Sequence, residues 1–391
     1  MVNVPIRCPL ITDPTAGLAP PADFDPLLAR LRADGPSRGS DASGDDDQPE
    51  QRAAEVFPRG TVQADGRLDL CKQGVGPVQA GLITAAAAHS PLVRHLLLGT
   101  NALGTDGTRA VADALQPGHG IETLYLGCNL IGPAGVDALA DRLAGDDTVK
   151  ALWLKRNPVG DEGVRRLAAA LSGNTSMRTL DLVNTGLTVT GLTALAGALA
   201  TGGPRLQRLY LGGNGFGPQA VPALTRLIHE AGIRELYLAA NDLGDDGTAA
   251  LAAAAAGVPM TLGLGGNGLT PTGAAGLARH CGRWVALDLA RPPSERALGA
   301  RANVVGDDGA IAFAEMLPQL RLRRLDLRRT GIGGRGALRL AEAVDGHPTL
   351  EYLGLTGGVP RRVRRRVATL LADRPQTEPH PDIHAIASVY R

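Results

Sequence analysis

The chain has 391 residues, with 40 Lys and Arg against 39 Asp and Glu, so its formal net charge is only +1. This balance excludes a global electrostatic attraction to nucleic acid or to a membrane surface. The four cysteines are far apart and lack CxxC spacing, so neither a disulfide framework nor a zinc knuckle is indicated. Because there is no signal sequence and no apolar run of about 18 residues, we expect a soluble, cytoplasmic protein.

Two segments precede the regular part of the chain. Residues 1–32 form an N-terminal extension whose apolar residues have helical spacing, which predicts a short helix that caps the regular part or stays mobile. The apolar residues of this helix are Phe24, Leu27, Leu28 and Leu31. Residues 33–60 lack apolar periodicity and contain three successive aspartates, which predicts a disordered acidic linker, with a solvated loop as the alternative.

From residue 61 onward, a Leu-x-Leu pair recurs eleven times, and most pairs start 25 to 29 residues apart. The interval from the ninth pair to the tenth is 38 residues, which places an insertion within residues 291–302. A period of this length indicates a repeat solenoid. The first leucines of the pairs are Leu68, Leu96, Leu124, Leu152, Leu180, Leu209, Leu236, Leu262, Leu287, Leu325 and Leu353.

Each repeat predicts a short strand, a turn and a helix. The alternation in Leu-x-Leu points both leucines to the core and the residue between them outward. An Asn follows the second Leu by three residues in six units, where its amide can bond the turns of neighbouring units. These are Asn101, Asn129, Asn157, Asn214, Asn241 and Asn267. Gln73, Thr185 and Thr330 replace this Asn in three units, and Asn303 follows the insertion in the ninth.

The pattern LxLxxNxLGxxGxxxLxxxL resembles the ribonuclease-inhibitor type of leucine-rich repeat. Similar arrays occur in Ran GTPase-activating proteins and innate-immune sensor receptors. The resemblance implies an α/β solenoid, a horseshoe of about eleven repeats over residues 61–372 with an inner parallel β-sheet and outer helices. It also implies protein binding on the concave inner face, although this architecture serves unrelated tasks.

Two further segments close the chain. The first is a helix that we predict to cap the C-terminal end of the array, because one of its faces is apolar and the opposite face is rich in arginine. The apolar face is formed by Val363, Val367, Leu370 and Leu371.

The second segment, residues 373–391, is a tail in which a Pro-rich tether precedes several apolar residues. Such a tail can dock on the chain's own concave face or mediate self-association. The apolar residues are Ile383, Ile386, Val389 and Tyr390.

The residues between the paired leucines form an outward column on the predicted concave face. Although the chain has only two Trp and five Tyr, this column contains Tyr125, Trp153, Tyr210 and Tyr237. Small residues flank these rings, and Trp and Tyr are frequent hot-spot residues in interfaces. We therefore predict that a protein or peptide binds there. The alternative is that neighbouring rings cover one another and stabilise the sheet.

Charged residues stand in the same columns as the rings. Lys155, Arg156 and Arg328 are interleaved with Asp181 and Asp288, a mixture that suits a partner carrying carboxylate or phosphate groups. The alternative is a solvated, self-paired surface. Because the carboxylates interrupt the basic strip, the pattern argues against nucleic acid.

A second hypothesis is a peptide-modifying or GTPase-regulating protein that uses the array as a docking platform. Its candidate catalytic residues are Cys71, Lys72 and Cys128, since Lys72 beside Cys71 would lower the pKa of the thiol. The sequence has no phosphate-binding or dinucleotide-binding motif. His380 and His384 have metal-ligand spacing but lack a third ligand, so no metal or cofactor is expected.

Overall fold

A computed structural model describes residues 17–33, 53–201, 206–293 and 296–390, which alternate short strands with helices. Strands β1 to β13 are Glu55–Val56, Thr61–Val62, Arg67–Asp69, His95–Leu97, Thr123–Tyr125, Ala151–Trp153, Thr179–Asp181, Arg208–Tyr210, Glu235–Tyr237, Thr261–Gly263, Ala286–Asp288, Arg324–Asp326 and Tyr352–Gly354. Helices α1 to α13 are Asp25–Ala33, Gly76–Ala88, Gly104–Ala114, Pro133–Leu143, Gly160–Gly173, Val189–Thr201, Val221–His229, Gly244–Ala255, Pro271–Ala278, Gly306–Met316, Gly334–Val344, Arg361–Leu370 and Pro381–His384. Short 3-10 helices are Pro21–Phe24, Pro218–Ala220, Cys281–Arg283, Leu317–Gln319 and Ala387–Tyr390.

The described residues form two compact units. The N-terminal unit consists of residues 17–33, 53–181 and 379–390, and therefore contains β1 to β7, α1 to α5 and α13. The C-terminal unit consists of residues 182–201, 206–293 and 296–378, with β8 to β13 and α6 to α12. The last residues of the tail thus belong to the unit that is formed by the first repeats.

The strands of each unit pair in the register that the leucine period dictates. In the N-terminal unit, β3 to β7 are parallel, and the first leucine of each pair stands beside that of the next. In the C-terminal unit, β8 to β13 pair in the same way. Each helix returns the chain to start a parallel strand. The paired leucines and the apolar helix faces are buried, which confirms the predicted α/β repeat solenoid.

The repeated asparagines bond successive turns within each unit. Asn157 is fully buried, and its Oδ1 accepts hydrogen bonds from the amides of Asn129 and Ile131 at 2.8 and 3.1 Å. Its Nδ2 donates to the carbonyl oxygens of Leu126 and Leu154, both at 2.9 Å. These backbone groups lie beyond the strand ladder, so the amide satisfies buried polar groups that nothing else pairs.

A second set of polar side chains holds the turn that leads from each helix to the next strand. In the N-terminal unit, His119, Asp146 and Asn174 stand at equivalent repeat positions and accept hydrogen bonds from turn amides. His347 does the same in the C-terminal unit. The sequence reading missed this set, because three different residue types perform the same task.

The ends of the array differ from the prediction in one respect. Residues 53–60, which we assigned to the disordered linker, form β1 and the turn to β2, because β1 pairs antiparallel with β2, which in turn pairs with β3. Residues 34–52 of that linker lie outside the described residues. The predicted cap helix is α1, whose Leu27 and Leu31 are buried and which packs against α2. At the other end α12 packs against α11.

The insertion of the ninth repeat folds back on its own unit. Leu298 is buried, and its side chain lies so close to Gly213 that a Cβ there would come within 2.2 Å of it. Arg301 forms an ion pair with Asp242 at 2.7 Å. Asn303 then rejoins the ladder by accepting a hydrogen bond from the amide of Asn267 at 2.9 Å. The insertion therefore leaves the repeat register intact.

None of the helices in the described ranges is long and apolar enough to cross a membrane.

Candidate partner-binding surface

The outward residues of each strand are those on either side of its central leucine, because side chains alternate along a strand. We call the outward residues of β8 to β13 the C-terminal sheet face and those of β3 to β7 the N-terminal sheet face. Of the predicted site residues, Tyr210, Tyr237 and Asp288 belong to the C-terminal sheet face, and Arg328 follows β12 beside it. Tyr125, Trp153 and Asp181 belong to the N-terminal sheet face, and Lys155 and Arg156 follow β6 beside it.

Two tyrosines form the centre of the C-terminal sheet face. The rings of Tyr210 and Tyr237 are stacked, with centroids 4.3 Å apart and planes at 6°. Gly263 on the next strand makes room for the second ring, since a Cβ there would come within 2.9 Å of Tyr237 Cδ1. The two rings cover each other on one side, as the alternative interpretation expected, yet both remain half-exposed.

A partly buried ion pair orients Tyr237 of this tyrosine pair. The Arg208 side chain is only 1% exposed and donates from Nε to Glu235 Oε2 at 2.7 Å and from Nη2 to Glu235 Oε1 at 2.5 Å. Tyr237 Oη donates to the same Glu235 Oε2 at 3.0 Å. Burial raises the pKa of Tyr237, and the neighbouring charge of Glu235 raises it further, so the phenol stays protonated and donates. The sequence reading missed Arg208 and Glu235, although strand alternation places the residue before each leucine on the same side.

A charged cluster lies at the other end of the C-terminal sheet face. Arg328 donates from Nη2 to Asp326 Oδ2 at 2.6 Å, and the Arg324 guanidinium lies 4.4 Å from the centroid of the Tyr352 ring. Although the Asp288 residue is exposed on the face, partial desolvation of its carboxyl group, followed by the charge of Asp326 on the adjacent strand, raises the pKa of Asp288 to about 6. At neutral pH the cluster therefore presents charges of both signs.

This raised pKa predicts that Asp288→Asn stabilises the protein more at pH 8 than at pH 5. Because the folded-state pKa lies above the unfolded-state value, the stability associated with a protonated Asp288 is lost as the pH rises through about 6. Asn removes the charge and keeps an oxygen to accept the Ala290 amide, which Asp288 accepts at 2.8 Å. Thermal melts at the two pH values measure the effect, with the exposed Asp373→Asn as control; equal gains at both pH values would contradict the assignment.

A pocket of about 820 Å³ adjoins the carboxyl ends of β8 and β9. The insertion contributes Leu298 and Arg301 to its lining, and the turns after the two strands contribute Phe216 and Asp242. This pocket therefore opens in the same unit as the tyrosine pair and at the ends of the two strands that carry it.

The N-terminal sheet face is not exposed as we predicted. Tyr125, Trp153 and Asp181 are 3%, 1% and 1% exposed, so these predicted contact residues are covered. Lys155 Nζ lies 5.3 Å from the centroid of the Tyr125 ring, and both Lys155 and Arg156 are half-buried. These three predicted contact residues are therefore inaccessible to a partner in the state that the structure describes.

The tail lies at this face. Thr179 Oγ1 at the start of β7 donates to Asp382 Oδ2 at 2.7 Å, and Arg178 lies 3.9 Å from the same carboxylate. His384 Nε2 is 3.6 Å from Asp65 Oδ2 in the turn before β3. Ala385 and Ile386 are buried. The side chain of Tyr390 and all of Arg391 lie outside the described residues.

The candidate catalytic residues do not form an activated thiol site. Burial, followed by the charge of Asp69, raises the pKa of Cys71, contrary to the prediction that Lys72 lowers it. Lys72 is exposed and occupies a left-handed turn position, as Cys128 does, with φ of 61° and 58°. The cation that acts on the Cys71 thiol is instead Lys155. Cys128 is buried, and the residues that the structure describes contain no group of three ligands for a metal ion.

We expect Cys71 and Cys128 to react with iodoacetamide at pH 7.5 at least about tenfold more slowly in the native protein than after unfolding, because alkylation requires the thiolate. Mass spectrometry of the labelled peptides measures both rates. The unfolded chain is the matched control. Rapid labelling of Cys71 in the native state would revive the thiol hypothesis.

A family model supports the repeat assignment for two segments of the chain. A model of the family described as Leucine Rich repeat matches residues 173–196 and 322–341. No curated protein matches the chain's sequence significantly. Solved structures that are similar to the chain include the yeast Rad7–Elc1 complex, at 13% identity and a TM-score of 0.42 over 73% of this chain and 74% of that chain.

Two further solved structures are similar over smaller parts of the chain. The tropomodulin C-terminal domain of Caenorhabditis elegans has 12% identity and a TM-score of 0.24, over 54% of this chain and 91% of that chain. The actin-binding site 2 of leiomodin-1 has 18% identity and a TM-score of 0.24, over 40% of this chain and 69% of that chain. The two matched segments are similar to the leucine-rich repeat, and the repeated strand, Asn ladder and helix show a leucine-rich-repeat fold.

Proposed function

We propose that this chain is a non-enzymatic module that binds a protein or peptide on its C-terminal sheet face. The observation that carries the proposal is the stacked and half-exposed pair of Tyr210 and Tyr237, in which the partly buried Arg208–Glu235 ion pair orients Tyr237. Relative to the sequence prediction, the surface is narrower, since the rings of the N-terminal sheet face are covered.

The tyrosine pair suits binding because little conformational entropy remains to be lost. Tyrosine offers a large contact area with few rotatable bonds, and a stacked pair that Glu235 already orients keeps its geometry on binding. Its position on paired strands rather than on a loop adds rigidity. The half-exposed rings are the expected hot spot of the surface.

The charged cluster determines what else a partner needs. Arg328 and Asp326 form an ion pair beside the carboxylate of Asp288, so the partner is a polypeptide with groups of both signs rather than a uniformly charged polymer.

The described cysteines, Cys71, Cys128 and Cys281, are free thiols. We therefore place this binding in a reducing compartment, the cytoplasm.

The test compares the captured partner between the wild-type protein and the double variant Tyr210→Ala/Tyr237→Ala. Removal of two hot-spot rings should lower partner affinity at least about tenfold. Quantitative mass spectrometry of cross-linked complexes measures the loss. Leu338→Ala, at an exposed position of α11 in the same unit, is the matched control. A partner retained equally by a folded double variant would contradict the proposal.

A further inference from the structure

The structure points to a second binding site, on the N-terminal sheet face. We propose that the tail segment 379–389 is a reversible intramolecular ligand of this face, and that the face accepts in trans a short helical peptide of the same chemistry. That chemistry is an aspartate followed, three and four residues later, by a small and an aliphatic residue. The site differs from the C-terminal sheet face and does not depend on its function.

The polar half of the site recognises one carboxylate. Asp382 is 4% exposed, and a carboxylate removed from water costs free energy unless hydrogen bonds and charges compensate it. Thr179 supplies a hydroxyl donor at 2.7 Å, and Arg178 supplies a positive charge at 3.9 Å. The amide of Asp382 donates to His380 Nδ1 at 3.2 Å, which caps the first turn of α13. The contact between the tail and β7 therefore requires a carboxylate at this position and is not merely apolar.

The apolar half of the site consists of buried residues of the strands and of the tail. On the N-terminal sheet face, the residues before the central leucine are buried at Thr123, Ala151 and Thr179. In the tail, Ala385 and Ile386 are buried, in a segment that Asp382 holds at β7 through Thr179. Burial of such small and aliphatic side chains favours the docked tail.

These three tail residues lie in α13 and in the turn that continues it. Asp382, Ala385 and Ile386 have i, i+3 and i+4 spacing, the spacing at which side chains on a helix are neighbours. His384, between them, is exposed. A peptide that carries Asp, a small residue and Ile or Leu at this spacing would make the same contacts.

The segment is small enough to leave without unfolding a repeat. In the chain that leads to it, residues 375–379 are exposed, and the hydrogen bonds of Gln376 and Thr377 to Glu351 lie before the docked segment. Helix α13 itself has only four residues. Local opening of such a segment costs less free energy than opening a packed repeat. The docked tail therefore competes with a peptide in trans, with the advantage of a high local concentration.

The experiment uses the full chain with its own tail disabled by Ile386→Asp, and a fluorescein-labelled peptide of residues 376–391 as the probe. We expect fluorescence anisotropy to show that this variant binds the peptide at least about tenfold more tightly than wild type, whose own tail occupies the face. Adding Thr179→Val, which removes the hydroxyl donor at nearly the same volume, should weaken binding of the peptide about tenfold or more.

The Tyr210→Ala/Tyr237→Ala variant provides a control in the same samples. Both tyrosines belong to the C-terminal unit. Their removal should leave binding of the peptide unchanged, which separates this site from the proposed function.

Three results would overturn the proposal. A folded Ile386→Asp chain that fails to bind the peptide, or one that binds it no better than wild type does, would show that the face is not a peptide site. Cooperative unfolding of the chain by Ile386→Asp would show that the tail is an integral part of the fold rather than a reversible ligand. Peptide binding that Thr179→Val leaves unchanged would place the contact elsewhere.

Discussion

Replacement of Asn157 by Ala is expected to lower the free energy of unfolding by about 3–5 kcal/mol. The amide makes four buried hydrogen bonds, to the backbone of Asn129, Ile131, Leu126 and Leu154. Each such bond contributes about 1 kcal/mol, and each buried backbone group left without a partner adds a penalty. Chemical denaturation followed by circular dichroism measures the loss.

The array itself supplies the matched control, Asn157→Thr. At the equivalent positions, Thr185 Oγ1 donates to the Leu182 carbonyl oxygen at 2.9 Å, and Thr330 Oγ1 donates to that of Leu327 at 2.7 Å. Thr at 157 should therefore keep one of the four bonds and lose less stability than Ala. If both substitutions cost the same, or less than about 1 kcal/mol, the ladder does not hold the turns as described.

Asp146→Ala should destabilise the N-terminal unit by about 3–5 kcal/mol, because it breaks a buried polar pair and leaves the other member unpaired. His119 Nε2 lies 2.6 Å from Asp146 Oδ2, and both side chains are 1% exposed. His119 Nδ1 accepts the Ile121 amide at 3.1 Å, so Nε2 carries the proton and donates to Asp146. The amides of Thr148 and Val149 also donate to Asp146.

Asp146→Asn is the control, since Asn174 stands at the same repeat position and accepts the equivalent turn amides. Asp146→Asn should lower the free energy of unfolding less than Asp146→Ala does. Burial works to raise the pKa of Asp146, but hydrogen bonds from His119 and the turn amides outweigh it, so the pKa is lowered. The stability that Asp146 contributes is therefore present above its unfolded-state pKa and is lost as the pH falls through the folded-state value. Equal urea midpoints for all three proteins would contradict the assignment.

The features that were predictable from the sequence are those that repeat within one period. The spacing of Leu68, Leu96 and Leu124 predicts the register of their strands, since every unit must bury the same positions against its neighbours. The Asn ladder is predictable for the same reason. The position of the insertion followed from a single long interval.

The features that could not be predicted depend on contacts between distant parts of the chain. Thr179 and Asp382 are 203 residues apart, so no periodic pattern connects them. As a result, the sequence predicts the same exposure for Trp153 and Tyr237, because both stand between the paired leucines of a repeat. In the structure, Trp153 is buried and Tyr237 is half-exposed. The raised pKa of Cys71 likewise depends on burial that the neighbouring Lys72 does not reveal.

The most direct test of partner binding on the C-terminal sheet face is site-specific photocrosslinking. The photoreactive amino acid p-benzoylphenylalanine is placed at Thr261, an outward residue of β10, or at Leu338, an exposed residue of α11 in the same unit. After irradiation in cell extract, we predict a discrete partner adduct from position 261 that excess unlabelled wild-type protein suppresses, and none from position 338. An adduct from position 338 with none from position 261 would contradict the account.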